Sequence, residues 1–572
     1  METWTRVGDG DVSVVIVGEA GQGIQTLETL LTWVLKDSGY HVFATKEFMS
    51  RVRGGSNSTS IRVAAHRVDA YVDRIDILIP LAADGIPRLA GRISPETIII
   101  GEKEKVEKVI DTQKYRFIDI PFTRIASDIG GGFYANIVAT GVIACIFDIE
   151  SDVLETIVEK TFADKDRDVI DRNLQALGRG CDIGIGLIKG GEVANIPKNP
   201  GIKGELLVQG TEAVALGAIA GGCNFISSYP MSPSTGVLTT LSRLAGDFGI
   251  IAEQAEDEIS AINMAIGAWY AGARAIVTTS GGGFDLMTEG LSLAGMIESP
   301  LVIHLAQRPG PATGLPTRTE QGDLNLALFG GHGEFPRIIL TPGTLEEAFN
   351  LTRRAFYLAD KYQVPVFILT DQFLLDSYYN IPGLDATKGE GKNFFTETEP
   401  SYRRYALTDT GISPRGIPGY GSGLVVADSD EHDEEGHITE DLDLRVKMVE
   451  KRLSKTAHIR REAQAPRIFG SGEYETLVLC WGSTGNAVKE AVEREERSGI
   501  SALHFSQVYP ISEDAERTIR KAKRKVVLES NATSQFGSLI GAETGIQIDA
   551  RILKYNGLPF SVEEIRDKLG RV

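Results

Sequence analysis

Glu258 stands where an acidic cluster (Glu253, Glu256, Asp257, Glu258) meets a run of residues that carries little charge until Arg274. Within that run Ala261, Ala265, Ala268 and Gly272 recur at helical spacing along one narrow strip, and Ile259, Ile262, Ile266 and Trp269 cover the neighbouring face. A helix apolar all round is expected to be buried, against its own domain or a partner. Glu258 is then the last carboxylate before dry surroundings, where desolvation raises a carboxyl pKa and the helix N-terminus lowers it. If desolvation prevails, a protonated glutamate donates a hydrogen bond at neutral pH, as general acid–base chemistry requires. The plain alternative is a glutamate that merely favours a helix N-terminus.

Arg308 follows the apolar run 301–306, in the stretch QRPGPATGLPTR (307–318). Ligands of α/β sheets gather at the carboxyl ends of strands, so Arg308 is placed either to hold an anion or to pair with a structural carboxylate. His332, between Gly331 and Gly333, reads as an acid–base group or as a loop residue with unusual backbone. Near the start, DVSVVIV (11–17) predicts a buried strand, and GEAGQG (18–23) a turn into a helix over 24–38. Free N–H groups and the helix dipole make such a turn an anion site. Its G-x-x-G-x-G spacing is not the dinucleotide pattern, which leaves a phosphate cradle and tight strand–helix packing as the two readings. Arg51 and Arg53, beside Gly54-Gly55-Ser56-Asn57, either make bidentate phosphate contacts or lie on a solvated loop.

The elements that must position these residues fit an α/β protein. At 572 residues the chain is long enough for three or four domains of about 150 residues. With 42% hydrophobic and 24% charged residues it is an ordinary globular composition. No window approaches a membrane span, and METWTRVGDGDVS has no secretory pattern. A net charge of −19 argues against nucleic acid and anionic membranes. Cys145, Cys181, Cys223 and Cys480 are far apart, which suits a reducing cytoplasm and argues against an iron–sulfur cluster on this chain. Further strands are expected over 75–80, 96–101, 224–228, 249–252 and 275–279. Others are expected at 326–329 and at 364–370, the last closing its sheet. The Gly/Pro-rich stretch 190–203 reads as a linker. ADSDEHDEEGH (427–437) reads as a solvated acidic loop rather than a metal site, and a mixed-charge helix over 442–455 as a connector.

YPMSP (229–233) followed by EDEISAINMAIGAWYAGARAIVTTSGGG (256–283) resembles the pyrimidine-binding domain of the 2-oxoacid:ferredoxin oxidoreductases. The family's loop reads roughly YPITP; Met231 and Ser232 depart from it, the second keeping a hydroxyl. The resemblance implies that Glu258 contacts the aminopyrimidine ring of thiamine diphosphate, beside Tyr229 and Pro230. GPATGLPT (310–317) is similar to the family's GPSTGxPT, which implies that Arg308, Ser232 and Thr317 hold the carboxylate of a 2-oxoacid, with Arg318 in reserve. Residues 12–188 resemble the gamma domain, whose loop is usually GxGGQG; Ala20 departs from it. This part implies a coenzyme A contact through Gly21, Gln22, Gly23, Arg51, Arg53 and Asn57. Residues from 476 to 560 resemble the transketolase C-terminal-like domain, expected to be structural.

The resemblance implies a gamma-like α/β domain (1–189), the linker (190–203), a pyrimidine-binding α/β domain (204–385), a connector (386–465) and the transketolase C-terminal-like α/β domain (466–572). A diphosphate half would need a G-D-G element after a strand with an asparagine downstream. Gly8-Asp9-Gly10 precedes the first strand and is rejected. A separate beta subunit is therefore expected to carry the diphosphate site, Mg2+ and a [4Fe-4S] cluster, in a dimer of alpha–beta heterodimers serving ferredoxin. The implied reaction is oxidative decarboxylation of 2-oxoglutarate with coenzyme A, or the reverse carboxylation of succinyl-CoA. Pyruvate or a branched or aryl 2-oxoacid is the nearer rival, and a non-catalytic nucleotide-binding scaffold subunit the more distant one.

Overall fold

The computed structural model describes residues 10–19, 24–49, 55–190, 196–388, 393–495 and 499–571. Gly21, Gln22, Gly23, Arg51 and Arg53 lie outside the described residues. The chain divides into two compact units: 1–208 with 376–383 and 561–564, and 209–375 with 384–560 and 565–572.

In the first unit β1 (Asp11–Glu19) is buried almost end to end because it is central. It lies parallel to β4 (Ile77–Pro80) on one side. On the other it pairs antiparallel with β3 (Ser56–Ala64), which carries β2 (His41–Glu47). Beyond β4 come β5 (Ile98–Gly101) and β6 (Arg116–Asp119). The helices α1 (Ile24–Asp37), α2 (Ala135–Ile146) and α3 (Arg167–Lys189) join these strands in one apolar core. Packing of α2 along α3 brings Cys145 and Cys181 together as a disulfide with Cα atoms 5.1 Å apart, which corrects the reading of all four cysteines as separate thiols. Residues 196–203 are held against this unit: Ile196 and Ile202 are buried, and the Asn199 N–H donates to the Gly39 carbonyl at 2.7 Å. β7 (Leu206–Gln209) follows.

The second unit opens with α4 (Gly210–Ala220) and builds a parallel sheet from β8 (Phe225–Ser228), β9 (Ile251–Gln254), β10 (Ala275–Thr279), β11 (Leu301–Gln307), β12 (Ile338–Leu340) and β13 (Pro365–Asp371). Its helices are α5 (Thr235–Phe248), α6 (Glu258–Tyr270), α7 (Gly281–Met296), α8 (Leu324–Phe329) and α9 (Leu345–Tyr362). Gly249, in the left-handed region at φ 64°, ends α5, so the strand starts two residues later than the apolar run suggests. Residues 324–329 are helical, not extended: six apolar-rich residues are too few for periodicity to tell the two apart.

The chain then returns to the first sheet as β14 (Tyr378–Ile381), giving the order β6-β5-β4-β1-β3-β2-β14-β7. A long α10 (Leu442–Arg461) precedes β15 (Arg467–Gly470), β16 (Thr476–Trp481), β17 (Ile500–Phe505), β18 (Gln507–Tyr509), β19 (Arg524–Glu529) and β20 (Ala550–Leu553). The last sheet runs β15-β17-β16-β19-β20. β18 instead extends the middle sheet, whose order is β18-β12-β13-β11-β10-β8-β9, so β13 is interior rather than closing.

The acidic loop is not simply solvated. Glu431 takes both Arg452 (2.9 Å) and Arg445, and His432 is fully buried with its ring 3.9 Å from that of Tyr405. Burial raises the Glu431 carboxyl pKa, and the two guanidiniums more than reverse this, holding it down to about 2. Nearby, Lys451 and Lys455 each approach buried Glu298 to 2.5 Å, which docks α10 rather than leaving it a loose connector.

Candidate active site

Glu258 is the first residue of α6. Asp257 caps the helix by accepting from the Ser260 N–H at 2.7 Å, which frees Glu258 to turn inward. It is 3% exposed, and its Oε1 is buried with no hydrogen-bond partner. The buried stripe of α6 is Glu258, Ala261, Ile262, Ala265, Ile266 and Trp269. Ile259 and Met264 are 48% and 37% exposed, so the expectation of a helix buried all round is corrected for this unit: one apolar flank is open. Ser227 Oγ donates to the Ala261 carbonyl at 2.7 Å, and Ser228 Oγ donates to the Thr278 carbonyl at 3.0 Å. These bonds tie α6, β8 and β10 together beneath the carboxyl ends of the strands.

The start of α7 explains the Ser280-Gly-Gly-Gly sequence. A Cβ on Gly283 would stand 2.5 Å from Glu258 Oε1, and one on Gly281 would stand 2.7 Å from both carboxylate oxygens of Asp323. Two acids therefore lie against the first turn of one helix because no side chain is there to exclude them.

Arg308 follows β11 directly, and its Nη1 donates to the Ser232 carbonyl at 2.8 Å, so the structure joins two of the expected substrate residues. Burial lowers the Arg308 pKa, and the Asp323 carboxylate opposes this. Thr317 and Arg318 are half-buried further along the same turn. Tyr229 is exposed and Pro230 half-buried on the loop after β8. His332 is exposed, and its N–H donates to Ser292 Oγ at 2.9 Å, away from these groups. In the first unit Asn57 Oδ1 accepts from the Met49 N–H at 3.3 Å.

Sequence reasoning missed Asp323. Its N–H donates to Gln307 Oε1 at 3.0 Å, its Oδ2 is buried with no hydrogen-bond partner, and it is raised to about 7 by burial, with Asp285 and Glu320 adding to the rise. An aspartate just before an apolar hexad is a helix-start signal, and reading 326–329 as a strand concealed it. Below the site His304 bridges Thr278 Oγ1 (2.6 Å) and Thr370 Oγ1 (2.9 Å); burial drives its pKa down to about 3, so it is neutral and ties three strands together.

Glu258 Oε1 is thus buried without a hydrogen-bond partner, packed against the backbone of Gly283 where a Cβ would collide with it and with Thr279 Oγ1. Residues 216–451 match the family model described as pyruvate flavodoxin/ferredoxin oxidoreductase, thiamine diphosphate-binding, and residues 13–183 that of pyruvate ferredoxin/flavodoxin oxidoreductase. The 2-oxoacid:ferredoxin oxidoreductase subunit alpha of a Sulfolobus species is 31% identical over 98% of this chain and 97% of its own. The 2-oxoglutarate synthase subunit KorA of Archaeoglobus fulgidus is 34% identical over 60% of this chain and 97% of its own. A solved 2-oxoglutarate:ferredoxin oxidoreductase from Magnetococcus marinus, with 2-oxoglutarate, coenzyme A and succinyl-CoA bound, superposes with a TM-score of 0.92. It is 29% identical, over 98% of this chain and 99% of that one. Fold and site together define the class: an α/β oxidoreductase subunit with a thiamine-diphosphate-binding domain. The chain belongs to the 2-oxoacid:ferredoxin oxidoreductases. Its architecture is α/β throughout, as expected, with the two family domains in the expected order along the chain. Among the described residues no helix is long and apolar enough to cross a membrane.

Proposed function

We propose that this chain is the fused gamma–alpha subunit of an enzyme that oxidatively decarboxylates 2-oxoglutarate, or carboxylates succinyl-CoA, with coenzyme A and ferredoxin. In this reading residues 1–189 are the gamma-like domain, joined by 190–203 to the pyrimidine-binding domain 204–385; the connector 386–465 leads to 466–572. The observation that carries it is the buried Oε1 of Glu258, which has no hydrogen-bond partner and so is left to bond a ring nitrogen. Glu258, with Tyr229 and Pro230 beside it, would hold the pyrimidine end of thiamine diphosphate, sharing or donating a proton at the ring nitrogen. The bound cofactor would supply the carbon nucleophile and electron sink that a decarboxylation needs. Arg308 would clamp the substrate carboxylate, with Ser232 and Thr317 as hydroxyl partners; its existing bond to the Ser232 carbonyl already orients the guanidinium.

A beta subunit would complete the site with the diphosphate pocket, Mg2+ and the [4Fe-4S] cluster, in a dimer of heterodimers in the cytoplasm. Support comes from the site's rim: Ile251 on edge strand β9 is 63% exposed, close in sequence to exposed Ile259 and Met264 on α6. An apolar flank on an open sheet edge favours coverage by another chain. Coenzyme A would be held in part by the first unit, through Gly21, Gln22, Gly23, Arg51, Arg53 and Asn57. The deciding experiment is purification of the chain with its partner, cofactor analysis, and turnover with a panel of 2-oxoacids for wild type and Glu258→Gln. A brown, thiamine-containing complex that prefers 2-oxoglutarate is expected, with Glu258→Gln folded and slowed by about 10²–10⁴-fold. Preference for pyruvate or a branched or aryl 2-oxoacid would overturn the substrate. A colourless, inactive nucleotide binder would overturn the enzyme.

A further inference from the structure

A cavity of about 680 Å3 opens at the opposite ends of the middle sheet from Glu258 and Arg308. Asn224 immediately precedes β8, and Gly272 and Arg274 lead into β10, so the cavity sits at the amino ends of these strands. α9 supplies its other wall through Asn350, Arg353, Arg354 and Tyr357.

Its charge runs against that of the protein, which is −19 overall. Arg274, Arg353 and Arg354 line it, with Lys361 and Arg415 just behind. Among the described residues two carboxylates pair with four of these five cations. Asp360 accepts from Arg274 (3.0 Å) and Arg415 (2.7 Å). Glu462 accepts from Lys361 (2.6 Å) and the Tyr362 hydroxyl (2.5 Å), with Arg354 at 3.8 Å. Among the described residues Arg353 donates to neutral acceptors, the Asp385 carbonyl (2.9 Å) and Asn350 Oδ1 (3.2 Å). The Asp385 carboxylate is turned to the Thr387 N–H at 2.9 Å. Arg354 Nη2 donates to the Glu462 carbonyl at 2.8 Å. Arginines that outnumber the described carboxylates beside a cavity of ligand size suit an anionic occupant.

The geometry points to a binding site for a small, multiply charged anion, held by Arg353 and Arg354 with Arg274 at the back of the cavity. Phosphoryl and polycarboxylate groups both offer the paired oxygens that arginine forks recognise. The aromatic edges of Tyr357 and Phe395 leave room for an organic body. The site is remote from the strand ends that carry the chemistry, so occupancy would act on the enzyme as an effector rather than as a substrate.

Isothermal titration of the full chain, with the subunits that accompany it, tests the assignment using pyrophosphate and, separately, citrate. Saturable binding of at least one is expected, with Kd below about 1 mM at low ionic strength. It should weaken by about tenfold or more in Arg353→Gln, the loss of one charge-assisted contact. Asn350→Asp, which places a negative charge at the exposed rim, should weaken it as well. Arg243→Gln, on an exposed face of α5, should leave it unchanged. Binding of pyrophosphate alone or citrate alone supports the site and identifies the group it prefers. No saturable heat from either up to about 10 mM, or full affinity retained in Arg353→Gln, overturns the proposal.

Discussion

Replacing Gly283 with alanine probes the placement of Glu258 without touching its carboxyl group. The new methyl would collide with Thr279 Oγ1 and stand 2.5 Å from Glu258 Oε1, and ordinary van der Waals contact begins at 3.4 Å, so the hydroxyl must give way and the carboxyl must retreat by about 0.9 Å. Overpacking of this kind costs about 1–3 kcal/mol. Alanine's helix preference over glycine offsets about 1 kcal/mol of that, because Gly283 lies within α7. The net loss of stability is then about 0–2 kcal/mol, a small downward shift in Tm. Function should suffer more, since a displacement near 1 Å in a reacting constellation costs on the order of 10²-fold in rate. The assay is 2-oxoacid-dependent reduction of a one-electron dye by the purified complex, beside thiamine content and a melting curve. Gly178→Ala is the control: it sits on an exposed face of α3, in the first unit, with nothing within 4 Å of the added methyl. It should gain up to about 1 kcal/mol and keep its rate. Undiminished turnover in Gly283→Ala, with unchanged melting, would refute the claim that this carboxyl must stand where it does.

Arg308→Ala should raise KM for the oxoacid by about 10–100-fold, from loss of a charge-assisted contact, and leave KM for coenzyme A unchanged; steady-state kinetics with each substrate varied check this. Asp323 is raised to about 7, so the folded state holds its proton where the unfolded chain has lost it, and its contribution to stability falls as pH rises from about 4 to 7. Asp323→Asn should therefore melt above wild type at pH 8 and lose that advantage toward pH 4, measured as paired melting curves. Glu431 is held at about 2, so its pairing with Arg452 and Arg445 contributes above its ordinary value of 4.5 and is lost as pH falls toward 2. Glu431→Gln should consequently lower the melting temperature at pH 7 and bring the two proteins together at acid pH.

Local pattern determined a good deal. β10 was legible residue for residue, and β1, β8 and β11 nearly so, because buried parallel strands are short unbroken apolar runs between turn residues. Glu258 was legible as the acid at the head of an apolar helix, and Arg308 as the cation after a strand, since both are statements about neighbours in the chain. What tertiary structure alone decided were matters of long-range proximity. Glu258 Oε1 can pack where it does because Gly283, on another helix, has no Cβ; Asp323 carries its proton near neutrality because burial and two other acids meet there. Cys145 finds Cys181 only when α2 and α3 pack, and Glu298 finds Lys451 and Lys455 across more than a hundred residues. Spacing along a chain governs which residues share a strand or a helix face, whereas desolvation, unpaired donors and charge excess depend on which of those faces meet.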